Sequence, residues 1–458
     1  MKTNEQWAID KPPLFSERDY LMTGKIKHAA LIFVVSLGLL LPQPVTAGGP
    51  DEEEREGPLA ELPSEPGEHL ERIRALGDNE WLDLGSPEPD PDWGKARGRS
   101  WSPRAPFAPD IRGAFFFGEG PHGMVKPDGH YMDDLWFYDL NQHRWICVYP
   151  GIKADGGYDE VKINEDGFEA TPDGNALPIA SMVHAYAMVT YDTDRKLFMS
   201  KPCPGAYWRD DGDYHRGIRG RVASREENRD KLYRGPASPW IYNTVRGHWE
   251  RHRTENPGSP GGFGATLIYV PSVRKAFGYK NRSSRVAWYD PDARDWQTIE
   301  RRGNLPPWHI DPNSCYDSKR DRIYIGGGLY PVLEEGESAL WMFDVQTETF
   351  SRLEPEGAPA STNYSTNRAM MNYDCVNDVV VLIHYRVREG ETPGVYVYHP
   401  DENKWETVSE RPPALAMHGN PTWTGFYDPE LNAHFMHRAD DGRDNGTMWV
   451  YRYKRAEE

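Results

Sequence analysis

Short segments in which apolar and polar residues alternate recur along most of the chain, and each predicts a β-strand with one buried face. The clearest segments form pairs. An alternating stretch ends in an aromatic residue, and a second stretch opens with another aromatic seven positions later. Asp, Asn and Pro lie between them and favour the tight turn of a β-hairpin. Residues with this pattern are 135–148, 239–252, 286–299, 340–353 and 395–408.

A second predicted hairpin precedes most of these segments and contains a Tyr-Asp turn. It occurs at residues 189–199, 313–328, 370–383 and 424–437, with a weaker copy at 267–279. Together the two hairpins make a unit of four antiparallel strands. One such unit cannot bury both of its faces, whereas several arranged radially can, as in a β-propeller.

The spacing of the hairpin aromatics predicts the number of these units. They recur at about 50 residues, the period expected of such repeats, except for a gap of roughly twice that length between Tyr138 and Tyr242. That gap contains a single Tyr-Asp turn, at Tyr191 and Asp192. With Tyr451 as the sixth aromatic, the sequence predicts an all-β fold of six blades, the second with long insertions.

The end of the chain lacks the strand that should follow Tyr451. The other returning strands read aromatic-x-x-apolar, and Trp81–Leu84 (WLDL) repeats that pattern near the start of the chain. We therefore predict that Trp81–Leu84 is the outer strand of the last blade and closes the ring. This places the propeller at residues 78–458.

The hairpin aromatics, the Tyr-Asp turns and the glycines after the second strand, such as Gly118 and Gly326–Gly328, resemble those of the Kelch-type β-propeller family. The resemblance covers roughly residues 80–458 and implies the fold rather than one activity. Exported six-bladed sialic-acid mutarotases are similar in blade count. Galactose-oxidase-like copper enzymes also use Kelch propellers, but these have seven blades and need a cysteine that has no obvious counterpart here.

Charge limits the classes of partner. The 458 residues include 53 Lys and Arg against 71 Asp and Glu, a formal net charge of −18. This excess argues against nucleic acid or an anionic membrane surface as the main partner. Cys147, Cys203, Cys315 and Cys375 have no metal-binding spacing, and both free thiols and disulfides remain open for them.

The start of the chain has the features of a signal peptide over residues 1–47. Lys25 and Lys27 precede an apolar run at 29–41, and Ala47 ends a small-residue cleavage site. Met22 is an alternative first residue, and an uncleaved anchor is the alternative interpretation. We therefore expect a secreted or periplasmic protein that leaves the membrane after cleavage.

Residues 48–77 form the predicted connection to the propeller. Residues 48–68 are acidic and Pro-rich, which is typical of a linker without a core of its own. The next residues favour a short helix, with Leu70, Ile73 and Leu76 on one side and Gly77 at its end.

The insertions of blade 2, residues 153–179 and 201–235, lie on the same face of the predicted disc. Long loops grouped on a rigid scaffold often carry function, although they can also serve as caps. In the second insertion Trp208 can stack on a sugar ring, while Arg209 and His215 can form directional hydrogen bonds. A loop whose Arg and Asp residues satisfy one another is the alternative.

Residues seven positions before the Tyr of each Tyr-Asp turn are predicted to lie near the channel mouth on this loop-rich face. Among them, His184, His309 and Asn420 are candidate ligand-binding residues. Arg368 and His418 lie nearby in the chain and are candidates too. His184 and His309 could bind a metal or transfer protons, but no third ligand is identified, so no metal or cofactor is assigned. The aligned positions are Ser102, His184, Gly262, His309, Thr366 and Asn420.

These features predict an exported propeller that binds a glycan or a protein on its loop-rich face. The alternative, implied by the family resemblance, is a sugar-modifying enzyme with its site at the channel mouth, either a mutarotase or epimerase or a copper-dependent oxidase. A purely structural interaction module is a third possibility. No catalytic residue is assigned.

Overall fold

The protein is described here from a computed structural model. The structure describes residues 54–99, 101–118, 125–153, 155–172, 174–175, 185–201, 225–228, 230–259, 265–280, 285–306, 309–329, 340–357, 369–385, 394–408, 422–439 and 445–456, without the side chains of 158, 309–311 and 327–329. These residues form an all-β fold in which six four-stranded antiparallel blades make a ring, a β-propeller, as the sequence predicts.

The first part of the propeller follows a short N-terminal region. That region contains a 3-10 helix (Gly57–Leu59), helix α1 (His69–Arg74) and strand β1 (Glu80–Gly85). Blade 1 has β2 (Phe107–Ala108), β3 (Gly113–Phe117), β4 (Leu135–Asp139) and β5 (Arg144–Tyr149), followed by 3-10 helix Gly157–Asp159 and a small hairpin of β6 (Lys162–Ile163) and β7 (Glu169–Ala170). Blade 2 has β8 (Val189–Asp192), β9 (Leu197–Ser200), β10 (Trp240–Asn243) and β11 (His248–Glu250), with 3-10 helix Glu226–Asn228 before β10.

The remaining blades repeat the same order from the axis outward. Blade 3 has β12 (Ala265–Val270), β13 (Lys275–Lys280), β14 (Val286–Asp290) and β15 (Asp295–Ile299). Blade 4 has β17 (His309–Asp317), β18 (Arg322–Leu329), β19 (Leu340–Asp344) and β20 (Thr349–Arg352), with the short β16 (Arg302–Gly303) parallel to β20. Blade 5 has β21 (Ala369–Asp374), β22 (Val379–His384), β23 (Gly394–His399) and β24 (Lys404–Val408), and blade 6 has β25 (Thr422–Asp428), β26 (Ala433–Ala439) and β27 (Thr447–Arg452).

The aromatic pairs that define the repeat face each other across the two outer strands of each blade. Their alternation on the pleated strand turns them toward the same side of the sheet, where they pack together. The facing pairs are Tyr138 and Trp145, Tyr242 and Trp249, Tyr289 and Trp296, Phe343 and Phe350, and Tyr398 and Trp405.

The Tyr-Asp turns are tight because the Asp side chain satisfies the backbone of the turn. In blade 4, Oδ1 of Asp317 accepts hydrogen bonds from the backbone N–H groups of Lys319 and Arg320, both at 3.0 Å. Asp321 then adopts a left-handed conformation with φ of 54°, and its carboxylate accepts a 2.8 Å hydrogen bond from the hydroxyl of Tyr316. This side-chain bonding and left-handed residue match the loop that returns a hairpin strand on itself.

Blade 6 takes its outer strand from the N-terminal region. Strand β1 pairs antiparallel with β27, so that Trp81 faces Tyr451, with 4.7 Å between the ring centroids. Asn79 has a φ of 57° and accepts a 2.8 Å hydrogen bond from the Tyr451 hydroxyl, as Asp321 does from Tyr316 within blade 4. Asn79 therefore takes the place of a residue in the last turn of blade 6, and β1 takes the place of its fourth strand.

Residues 54–77 pack along the tight turns of the propeller. The backbone N–H of Glu56 donates to Val245 O of blade 2, and that of Gly67 donates to Asn141 O of blade 1, each at 2.7 Å. Leu59 is fully buried among side chains of blades 1 and 2. The described part of the predicted linker thus contributes to the core through its buried leucines, Leu59 and Leu62.

The described residues also limit two sequence expectations. No helix among them is long and apolar enough to cross a membrane. Cys147, Cys315 and Cys375 are free thiols, which removes a disulfide between any two of these three. The predicted signal peptide and Cys203 lie outside the described residues.

Candidate functional site

The residues that the sequence proposes for ligand binding lie almost entirely outside the part of the chain that the structure describes. Only the backbone of His309 is described, where it opens β17. The predicted site on the loop-rich face therefore stays a prediction. The proposed residues outside the described ranges are His184, Trp208, Arg209, His215, Arg368, His418 and Asn420.

A cavity of about 230 Å³ lies on the axis of the propeller. The innermost strands of all six blades contribute to its wall, so the cavity exists only once the ring is closed. One lining residue from each blade, in order, is Phe107, Tyr191, Ile268, Cys315, Asn372 and Phe426.

The cavity occupies the half of the channel nearer the tight turns. Its lining includes the Tyr of four Tyr-Asp turns: Tyr191, Tyr316, Tyr373 and Tyr427. The connections from β5 to β8 and from β9 to β10, which contain the insertions of blade 2, join strand ends opposite the tight turns. The cavity is therefore distinct from the site that loop length predicted.

Arg104 closes the inner end of this cavity and joins several blades. Its Nη1 donates hydrogen bonds to Ala187 O of blade 2 at 3.1 Å and Leu267 O of blade 3 at 3.0 Å. Its Nη2 donates to the backbone O of Ser314 of blade 4 and, at 2.7 Å, to the Oγ of the same residue. Burial lowers the pKa of Arg104 to about 10, so the guanidinium is positively charged at neutral pH.

The chemistry of the cavity wall is aromatic and hydroxylic around this single cation. Its described lining contains no Asp or Glu. The Nδ2 of Asn372 is buried and has no hydrogen-bond partner among the described residues. The hydroxyl of Tyr373 donates to Asp378 at 2.8 Å and is thereby held in place. A ligand in the cavity would therefore meet a side-chain amide, a positive charge, hydroxyl groups and aromatic rings.

Ser102, which the aligned Tyr-Asp turns place near the axis, lies close to Arg104 in the chain. Its backbone O accepts a 2.7 Å hydrogen bond from Thr424 of blade 6. Its Oγ accepts one from the N–H of Ala185 before blade 2 at 2.8 Å. Arg104 follows two positions later, but one Arg in a loop carries no sequence signal for a place on the axis.

A second buried polar group lies where β3 and β4 meet the loop-rich face. Asp134, fully buried, accepts hydrogen bonds from Arg99 Nη1 at 2.6 Å and from Lys126 Nζ at 2.9 Å. The indole N–H of Trp136 also donates to Asp134, at 2.7 Å. Burial alone would raise the pKa of Asp134, but the two cations lower it to about 2, so this carboxylate is ionised. We call Arg99, Lys126 and Asp134 the Arg99 cluster.

Within the described ranges no group of three or more His, Cys, Asp and Glu side chains is arranged to hold a metal ion. The histidine pair that the sequence proposes, His184 and His309, has no described side chain. The copper-dependent oxidase alternative stays a prediction.

Comparison with known proteins gives structural similarity without a family. No protein-family model matches the chain, and no curated protein matches it. Two solved structures of auxiliary nutrient binding proteins are similar: one from Bacteroides thetaiotaomicron with 10% identity and a TM-score of 0.41, and one from Bacteroides ovatus with 12% identity and a TM-score of 0.39. Each match covers 85% of this chain and 75% of the other. TolB from Acinetobacter baumannii matches with 8% identity and a TM-score of 0.36 over 74% of this chain, which spans 63% of the TolB chain.

Proposed function

We propose that this protein is an exported, Kelch-like β-propeller that binds a small, sugar-sized ligand in its axial cavity. The observation that carries the proposal is the cavity itself, which all six blades line around Arg104 and Asn372. Export rests on the signal-peptide features of residues 1–47, and the Kelch-like assignment rests on the pattern of hairpin aromatics and Tyr-Asp turns.

The size of the cavity supports a ligand of one ring. A protein cavity of about 150 Å³ accommodates benzene, so the cavity of about 230 Å³ can hold a single sugar ring with its hydroxyl groups. Aromatic residues such as Tyr316 and Tyr373 line the cavity, and aromatic rings can pack on the apolar face of a sugar.

The polar groups favour a ligand that presents acceptor oxygens. A buried amide donor without a partner costs free energy, which a ligand hydroxyl or carbonyl at Asn372 Nδ2 would recover. The charge of Arg104 and the absence of carboxylates from the described lining favour electron-rich ligands over cationic ones. A larger glycan or a protein on the loop-rich face remains the separate prediction from loop length.

Calorimetric titration of the mature protein with a panel of neutral, N-acetylated and acidic monosaccharides tests this proposal. We expect saturable one-to-one binding. Asn372→Leu, which removes the amide donor, and Ile268→Phe, which fills space, should each weaken binding at least tenfold, a loss of about 1.4 kcal/mol or more. Asn304→Leu alters an exposed residue outside the cavity and serves as the matched control.

Two outcomes would contradict the proposal. Absence of binding across the panel would reject the ligand class. Binding that both cavity variants leave unchanged would reject the cavity and favour the loop-rich face. Following the bound sugar by NMR adds a separate readout, because conversion of its anomers or oxidation of its hydroxyls would favour the enzyme alternative.

A further inference from the structure

One edge of the Arg99 guanidinium has no partner although the residue is buried. Arg99 is 1% exposed, and its Nη1 donates to Gly118 O at 2.7 Å and to Asp134 at 2.6 Å. Its Nε and Nη2 have no hydrogen-bond partner among the described residues. These two N–H groups point along the same side of the planar guanidinium, the side that chelates the two oxygens of a carboxylate.

His437 is a second unsatisfied buried group, close enough to Arg99 to sense its charge. It is 1% exposed, and neither ring nitrogen has a hydrogen-bond partner within the described chain. Its ring packs edge-on against Trp145 at 5.2 Å and Phe116 at 5.8 Å. Burial and the nearby charge of Arg99 lower the pKa of His437 to about 3, so the neutral imidazole keeps one N–H donor.

The Arg99 cluster contains two cations and one carboxylate. Asp134 is shared, with one oxygen on Arg99 and the other on Lys126. Asp128 approaches only the Lys126 end, at 3.6 Å. Within the described residues Asp134 is therefore the sole carboxylate in an ion pair with Arg99, and it occupies Nη1 rather than the free edge.

The position of these groups relates them to the loop-rich face. Gly118 follows the end of β3, Asp134 precedes β4, and His437 lies near the end of β26 in the neighbouring blade 6. These strand ends are on the face of the long connections, opposite the axial cavity. The Arg99 cluster thus lies between blades 6 and 1, apart from Arg104.

We propose that the free edge of Arg99 binds the carboxylate of a small monoanionic ligand, with a hydrogen bond from His437. Nε–H and Nη2–H would each donate to one carboxylate oxygen, and the imidazole N–H would donate to the same group. Filling the edge removes the high energetic cost of buried, unpaired donors. This site is additional to the axial cavity and does not depend on it.

NMR of the arginine Nε–H groups in the full-length protein tests the site. Sodium acetate and sodium formate are the probes, with sodium chloride at matched ionic strength. We expect the Arg99 Nε–H signal, identified by its loss in Arg99→Lys, to shift saturably with acetate and formate but not with chloride. Thermal stability should rise with carboxylate concentration in the same saturable manner.

Variants separate a binding role from a packing role. Arg99→Lys keeps the charge but loses the chelating edge, and we expect at least tenfold weaker acetate binding. His437→Phe loses no existing hydrogen bond, so it should fold and still weaken binding at least threefold. Arg112→Lys is the matched control, because Arg112 is bidentate on Asp428 at the opposite face.

The proposal fails if carboxylates produce no saturable shift of the Arg99 Nε–H signal. It also fails if chloride produces the same shift, because the site would then bind halides. It also fails if Arg99→Lys and His437→Phe both retain wild-type acetate binding. If Arg99→Lys does not fold, the wild-type titration and His437→Phe decide. Loss of sugar binding in Asn372→Leu has no bearing on this result, so failure of the two sites can be told apart.

Discussion

Two consecutive carboxyl groups, Asp133 and Asp134, are both fully buried yet hold opposite protonation states. Asp134 contacts two cations and is ionised. Asp133 accepts one hydrogen bond, from the N–H of Ile152 at 3.0 Å, while its other oxygen has no partner among the described residues. Burial raises the pKa of Asp133 to about 8 despite that hydrogen bond. The environment, not the residue type, separates the two groups.

The protonated state of Asp133 predicts a pH dependence of stability. Its pKa of about 8 in the folded protein exceeds the value of about 3.9 expected after unfolding. Its contribution is therefore complete below pH ~4 and is lost as pH rises toward 8. Asp133→Asn remains neutral and should avoid this loss.

We expect the unfolding free energy of Asp133→Asn, relative to wild type, to increase by about 2 kcal/mol or more from pH 5 to pH 8. Urea denaturation at the two pH values measures this change. Other titrating groups cancel in the comparison with wild type. An equal difference at both pH values would show that Asp133 is ionised in the folded protein.

At the scale of elements, the closing strand combines a local pattern with a distant partner. The WLDL pattern predicts an outer strand, and β1 takes that place beside β27. Trp81, which is partly buried, also packs edge-on against Trp423, with 6.2 Å between the ring centroids. Helix α1 shows the same combination, since periodicity predicts its apolar side but not its place against blades 1 and 6.

Truncating Trp81 tests how much the closing strand contributes. Trp81→Ala should lower the unfolding free energy by about 2 kcal/mol, because it removes apolar area from Tyr451 and Trp423. Chemical denaturation measures the loss. Trp93→Ala is the matched control, as Trp93 is 38% exposed and outside the blades, and equal losses in the two variants would argue against a stabilising role of β1.

At the scale of the whole molecule, Arg104 connects parts of the ring that are far apart in sequence. Its guanidinium bonds to blades 2, 3 and 4, while the N–H of the next residue, Ala105, donates to Gly425 O of blade 6 at 2.8 Å. This side chain thus joins carbonyl groups of three successive blades, and the next backbone N–H joins that of a fourth. The guanidinium of Arg104 therefore connects the blades around the channel and forms the charged end of the cavity.

Replacing Arg104 should destabilise the entire propeller. Arg104→Met removes a charged donor and leaves buried carbonyl oxygens without it, so we expect a loss of about 3 kcal/mol in unfolding free energy. Guanidinium denaturation measures the loss, with Arg246→Met at an exposed turn as control. A loss no larger than in the control would mean that the carbonyls are satisfied in another way.

The sequence alone determined the repeat, the number of blades and the hairpin pairs, because these depend on residues close together in the chain. Tyr138 and Trp145, for example, are joined by a turn that contains the turn-favouring residues Asp139 and Asn141. Six copies of one local pattern then leave little choice of architecture. Candidate site residues such as His184, which the aligned Tyr-Asp turns indicate, and Trp208, which loop length indicates, remain predictions.

Only the tertiary structure decided where buried charge and empty space lie. Arg104 and Arg99 look like ordinary loop residues in sequence, and the two members of Asp133-Asp134 look equivalent. Their differences arise because desolvation and hydrogen bonding depend on atoms that several blades bring together. The axial cavity likewise belongs to no single repeat, since it forms from the inner strands of all six.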